Sequence, residues 1–166
     1  MSKYKSHTEK GECVFCKIVS GELSSPGIFY NTKEYMAFLS LFPNMAGVSV
    51  VIPKKHFGSD VLKMLDKNLQ EFILVAKHIA AVLEKHYSDV GRVGLVMEGT
   101  GIDHAHIKLY PMHGTGHLKQ GVWKQYPSSI DTYFEEYSGY ISSNDGSKAD
   151  EEELNHLAAE LKLLVA

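Results

Sequence analysis

The chain has little cysteine, no long apolar run and no surplus of charge of one sign. Only Cys13 and Cys16 occur among 166 residues, so no disulfide framework organises the fold. A chain of this length suits one domain that buries a real core without such help. Nowhere do about 18 apolar residues follow one another, so no membrane-spanning helix is expected. Lysine and arginine number 17 against 20 acidic residues, a net charge of −3. That balance leaves no electrostatic footprint for nucleic acid or an acidic membrane surface. Residues Met1 to Gly11 are polar and carry Lys3, Lys5 and Lys10, and no apolar targeting segment follows them. The reading therefore predicts a cytoplasmic protein. Internal repeats and low-complexity runs are absent as well.

What is present is concentrated in Asp103-His104-Ala105-His106-Ile107-Lys108-Leu109-Tyr110-Pro111. Polar and apolar residues alternate there with the period of two that marks a half-buried strand. Ala105, Ile107 and Leu109 are predicted to face a core. His104, His106 and Lys108 then line the opposite face, their Cβ atoms about 7 Å apart. Imidazole serves near neutrality as nucleophile, base or metal ligand, and lysine supplies a positive charge for a phosphate oxygen. The row reads as an anion-handling site, as joint ligands of a catalytic metal, or as a polar face open to water. The C-x-x-C pair is a redox motif, half of a metal site, or coincidence. A redox motif of the thioredoxin kind follows a strand, whereas this pair follows a polar tail. Thiolates at this spacing bind zinc well, and nine histidines are available to complete a tetrahedron.

Along the chain, Cys13 to Val19 is short and apolar, and Gly21 to Gly27 reads as a turn. Ile28–Tyr30 and Tyr35–Leu39 are predicted to form a hairpin. Val48–Ile52 follows as a β-branched strand, stopped by Pro53 and delivering Lys54, Lys55 and His56 at its end. Leu65, Leu69, Phe72, Ala76, Ile79 and Leu83 mark one face of a long helix from Asp66 to about Tyr87. His78 and His86 lie off that stripe and read as solvated. Arg92–Glu98 makes another strand, and Gly99-Thr100-Gly101 connects it to the histidine segment. A Gly-rich loop follows, with His113 and His117, which read as mobile loop residues or as an acid reaching back. Lone Trp123 comes next. Tyr133–Ile141 and Asp150–Val165 are predicted helices, the second with acidic residues at its N-terminus. The expected organisation is a tail over 1–12, a domain over 13–125, and a helical extension over 126–166 packed on it.

With these residues in view, the chain resembles the HIT (histidine triad) nucleotide hydrolases and transferases. The resemblance spans Cys13 to about Trp123, roughly two thirds of the chain. It rests on Cys13-Val14-Phe15-Cys16-Lys17-Ile18, Met36-Ala37-Phe38-Leu39, Val50-Val51-Ile52-Pro53-Lys54-Lys55-His56, the long helix, His104-Ala105-His106 and Gly121-Val122-Trp123-Lys124, in the family's order. It implies an α+β fold with a five-stranded antiparallel sheet, a long helix and a C-terminal helix, paired in a homodimer. In zinc-carrying members the C-x-x-C thiolates join two histidines, which here implies a structural zinc on Cys13, Cys16, His56 and His104. The middle histidine of the motif attacks an α-phosphate and becomes nucleotidylated, which by position assigns the nucleophile to His106. Phe15, Phe38, Ser40, Leu41, Thr100 and Trp123 are the positions that the resemblance places around a nucleotide.

Four positions depart from the family pattern. Lys108 stands where hydrolase members carry a third histidine; it can hold a phosphate oxygen but passes a proton less readily near neutrality. Val48 follows Gly47 in place of a common histidine. Ser40 replaces the aspartate that grips the ribose, so weaker nucleotide binding or a different sugar is expected. The loop Gly99–Asp103 is short and lacks the G-Q-S segment, leaving Thr100 as its substitute. The expected activity is cleavage at an α-phosphate of a dinucleoside polyphosphate or nucleoside phosphoramidate-like substrate. The alternative is a zinc-stabilised nucleotide-binding module with little catalysis.

Overall fold

The computed structural model describes residues 12–25 and 27–125, all but the last two of them within one unit formed by residues 1–123. The predicted helices Tyr133–Ile141 and Asp150–Val165 lie outside the described residues, as do the extension 126–166 and the tail up to residue 11. Helix α1 (Val14–Ser20) is followed by strands β1 (Ile28–Asn31), β2 (Tyr35–Leu39) and β3 (Ser49–Pro53). Helix α2 (Asp66–His86) and strands β4 (Val93–Val96) and β5 (Ile107–Pro111) complete the unit. The five strands form one antiparallel sheet in the order β1-β2-β3-β5-β4.

The apolar run over Cys13–Val19 forms a helix, α1, which Gly21 ends at φ +80° by donating its N–H to the Ile18 carbonyl at 3.1 Å. That is the left-handed cap that glycine adopts without a Cβ penalty. Helix α2 begins with Asp66 and ends with Lys85 and His86, charges matched to its dipole. Its buried stripe is Phe72, Ala76, Ile79 and Leu83. Leu65 belongs to the predicted stripe but is exposed. It precedes the first helical turn with extended backbone (ψ 139°), so its side chain leaves the stripe's line.

The sheet is covered on both faces. Ala37, Val51, Ala105, Ile107 and Leu109 join the α2 stripe in one core cluster. Met36, Phe38, Val50 and Ile52 join Cys13, Phe15, Cys16 and Ile18 of α1 and its cap in another. Strand β3 is consequently buried at all five positions, the reason for its β-branched run. Full burial of each large apolar side chain contributes about 1.5–3 kcal/mol. Among the described residues no helix is long and apolar enough to cross a membrane.

Two glycines fix loops around this sheet. At Gly47 (φ +79°) a Cβ would lie 2.6 Å from the Tyr87 ring. At Gly99 (φ +66°) it would lie 2.6 Å from the Ser59 carbonyl oxygen. The second contact lets the β4–β5 loop lie against the turn that follows β3, and both segments carry site residues.

Candidate active site and metal cluster

Cys13 caps α1 and Cys16 lies one turn on, so both sulfurs share the helix face that packs on the sheet. His56 is carried by the turn after β3, and His104 by the segment entering β5. The ligand atoms of these four side chains lie within 4.8 Å of one another. Cys13 Sγ is 3.3 Å from His104 Nδ1, Cys16 Sγ is 3.2 Å from His56 Nδ1 and 3.6 Å from His104 Nδ1, and the two Nδ1 atoms are 3.2 Å apart. A zinc tetrahedron with bonds of about 2.0 Å to nitrogen and 2.3 Å to sulfur has edges of about 3.3–3.8 Å. These four separations, 3.2–3.6 Å, lie close to those edges, so the donor set is compatible with zinc in chemistry and size.

The protein orients these ligands itself. His104 Nε2–H donates to the Pro53 carbonyl at 2.8 Å, which leaves the Nδ1 lone pair turned to the sulfurs. Burial pushes the His104 pKa down to about 4, against the opposing effect of that bond, so the ring is neutral as ligation requires. The Ala105 N–H donates to the Phe57 carbonyl, and the Ser59 N–H to Asp103 Oδ1, each at 2.9 Å. These bonds tie the His56 turn to the His104 segment. With four protein ligands the cluster has no open position, and the group does not include His106.

His106 follows with a different task for its ring. Its Nδ1 is 2.7 Å from the His104 carbonyl; since a carbonyl only accepts, Nδ1 carries the hydrogen and Nε2 keeps the lone pair. Burial lowers its pKa, Lys108 adds to the effect, and the bond to His104 with Glu98 opposes it. Phe15 meets the His106 ring edge-on, centroids 5.6 Å apart, and its other neighbour is the Phe38 ring at 5.7 Å. A polar face open to water is therefore not what forms: His104 and His106 are both buried, under α1. The strand is also shorter than the alternation predicts, since pairing starts at Ile107 and both histidines precede it.

Lys108 lies between Val50 of β3 and Val96 of β4, and its ammonium donates to the Glu98 carboxylate. Glu98 escaped the reading of motifs, although the antiparallel register brings the end of β4 to this place. Asp103 escaped it too. Of the positions expected around a nucleotide, Phe15 and Phe38 are buried, Phe15 against the His106 ring, whereas Leu41 and Trp123 are exposed. Ser40 Oγ accepts the Phe42 N–H at 3.2 Å. Thr100 is exposed in the β4–β5 loop, and the Trp123 ring lies 5.5 Å from the Arg92 guanidinium. Val48 is buried. A half-open cleft lined by Lys55, Phe57, Lys63 and Asn68, among others, includes none of the residues expected to grip a nucleotide.

His113 makes three contacts from its Gly-rich loop. Its Nδ1 meets Asp89 Oδ2 at 3.1 Å, its Nε2 meets the Ala46 carbonyl at 3.0 Å, and its ring packs on Tyr87. It clasps the loop after β5 to the loop before β3. His117 sits in a short 3-10 turn, Gly116–Gln120. His78 and His86 are exposed, as expected of residues off the α2 stripe.

Comparison with known proteins bears on the same span. Residues 24–115 match the family model of the HIT domain. The chain belongs to the HIT family. An uncharacterized HIT-like protein of Methanocaldococcus jannaschii is 33% identical over 105 residues, 61% of this chain and 79% of that one. An adenosine 5′-monophosphoramidase of Saccharomyces cerevisiae is 30% identical over 99 residues, 60% of this chain and 61% of that one. A crystal structure of a HIT-family member from Bacillus subtilis superimposes with a TM-score of 0.61 at 21% identity, covering 93% of this chain and 97% of that one. That last likeness is one of fold. The five-stranded antiparallel sheet with its two described helices is the HIT fold.

Proposed function

We propose that this HIT protein is an enzyme, a nucleotide hydrolase or nucleotidyltransferase that cleaves at an α-phosphate through a nucleotidyl-histidine at His106. The observation that carries the reading is the hydrogen bond from His106 Nδ1 to the His104 carbonyl, which leaves Nε2 as a neutral lone pair. In the first step Nε2 bonds to the α-phosphorus while the leaving group departs with its bonding electron pair and takes a proton from solvent. In the second, the oxygen of water or of an acceptor hydroxyl bonds to phosphorus and gives its proton to solvent, and Nε2 departs with its electron pair. Two easier displacements replace one difficult one. Lys108 is assigned to the charge that develops on the non-bridging oxygens, an electrostatic contribution that dominates such transfers. Phe15, Phe38, Ser40, Leu41, Thr100 and Trp123 are assigned to the nucleotide. The substrate class proposed is a nucleoside phosphoramidate or a dinucleoside polyphosphate; the named activity of the yeast relative supports the phosphoramidate.

In this reading Cys13, Cys16, His56 and His104 hold a structural zinc. When bound, the metal cross-links α1, the turn after β3 and the entry to β5. Pairing of two copies is part of the same reading, supported by β4, which ends the sheet and presents Leu95 to solvent. A cytoplasmic location, with neither nucleic acid nor membrane as partner, completes it.

The test is turnover of dinucleoside polyphosphates, nucleoside phosphoramidates and nucleotide sugars by the full chain and by its His106→Ala variant. A fall of about a thousandfold or more in the variant is expected for loss of a nucleophile. Unchanged turnover would sink the assignment. A second reading, the zinc-stabilised nucleotide-binding module, is favoured by the engagement of Lys108 with Glu98. Nucleotide binding by calorimetry with no turnover across the panel selects it.

A further inference from the structure

Glu98 lies two residues beyond the last paired residue of β4, and its carboxylate accepts a hydrogen bond from the Lys108 ammonium. The side chain is 16% exposed and that of Lys108 32%, so solvent screens neither charge fully. Val96 pairs with Lys108, the last pair of that ladder, so Glu98 follows directly from the strand that flanks the lysine. A carboxylate thus stands against Lys108, the very residue assigned to the phosphate charge. Like charges repel, so it does not help to hold an anion. It offsets part of the pull of the cation that does.

We propose that Glu98 is a positioning and charge-selecting residue, which anchors the Lys108 ammonium beside His106 and restricts the site to phosphates that carry a single negative charge. The proposal rests on the reading above for where the phosphate sits. An α-phosphate still linked to its leaving group has one ionised oxygen. The nucleoside monophosphate released by hydrolysis has a second, with a pKa near 6, and carries a charge of about −1.5 to −2 at pH 7. Lysine balances the first charge. The second meets the Glu98 carboxylate with no further cation from this pair, so the same two residues admit the substrate and turn out the product.

The experiment is calorimetric binding of two probes, adenosine 5′-monophosphate and its singly charged methyl ester, to the full chain and to its Glu98→Gln and Glu98→Asp variants. The wild type is expected to prefer the ester. In Glu98→Gln the affinity ratio should move toward the monophosphate by about tenfold, the order expected for one added unit charge a few ångströms from a half-buried carboxylate. Glu98→Asp should restore the wild-type ratio, which a purely structural role for the residue does not predict. High salt should narrow the wild-type preference. If Glu98→Gln does not fold, that salt dependence decides, and a ratio indifferent to salt overturns the proposal. So does an equal change for both probes in Glu98→Gln, or a wild type that binds neither. His106→Ala separates the two claims: retained turnover removes the nucleophile assignment, while the probe ratio measured in that variant still reports on Glu98.

Discussion

Replacing Cys16 by serine should cost the protein most of the stability it gains from zinc. The Cys16 sulfur stands 3.2 Å from His56 Nδ1 and 3.6 Å from His104 Nδ1, and so forms two edges of the ligand tetrahedron. A serine hydroxyl is shorter, harder and uncharged. Structural zinc sites bind with about 10–16 kcal/mol in total, or about 2.5–4 kcal/mol for each of four ligands. One lost thiolate thus lowers affinity on the order of a hundredfold to a thousandfold. A ligand that binds the native state alone stabilises it by about 4 kcal/mol when its free concentration is about a thousand times Kd. At the same free zinc, the variant should gain only about 0.4–1.4 kcal/mol by the same relation. Urea unfolding at buffered free zinc, with and without chelator, measures both increments, provided the transition is two-state. Equal increments in the two proteins, or none in the wild type, would refute the metal assignment. His106→Ala is the control that should keep the full increment, because its ring is bonded to a backbone carbonyl and lies outside the four-residue group.

Two further perturbations probe the scaffold. Gly99→Ala places a Cβ 2.6 Å from the Ser59 carbonyl oxygen at φ +66°; left-handed backbone and displaced turn together should cost about 2–4 kcal/mol. Urea unfolding reads that loss, and because the turn also carries His56, zinc affinity should fall in parallel. The second is the clasp made by His113, whose pKa is raised above 6.5 by the Ala46 carbonyl and then by Asp89. Its stabilisation is full below the unfolded-state pKa of histidine and fades as pH rises through the folded one. The Asp89 pKa is lowered, chiefly by the Gly114 N–H and then by His113, so its share fades as pH falls through the folded-state value. The stability difference between wild type and His113→Ala should be largest between about pH 4 and 6.5 and smaller on either side. A difference constant across pH 3–9 would contradict the clasp.

Periodicity made the layers legible. Alternation at Ala105, Ile107 and Leu109 and the stripe from Phe72 to Leu83 identify the two surfaces that meet in one core. The hairpin and the β-branched run of β3 were readable for the same reason. The four positions that the family resemblance implies for a metal are those the structure gathers. What local pattern could not supply was the cover on the second face. His104 and His106 look half-exposed from their own segment, since the helix that buries them comes from about ninety residues earlier in the chain. A short apolar run such as Cys13–Val19 gives no period by which to tell a helix from a strand. Glu98 and Asp89 act through partners 10 and 24 residues further along the chain, and neither belongs to a motif.

On the proposed function, position 104 serves the fold with its ring and the chemistry with its carbonyl: the one faces the sulfurs, the other receives the His106 hydrogen. For anyone re-engineering this scaffold, side chain and main chain at that position are separable design variables. An apolar plug that replaced all four ligands while preserving the path of the 104 peptide would leave the neighbouring imidazole in its working tautomer. A substitution that kept every ligand but rotated that peptide would not. The constraint inherited by descendants of such a design is the direction of one carbonyl rather than the identity of the residue that bears it.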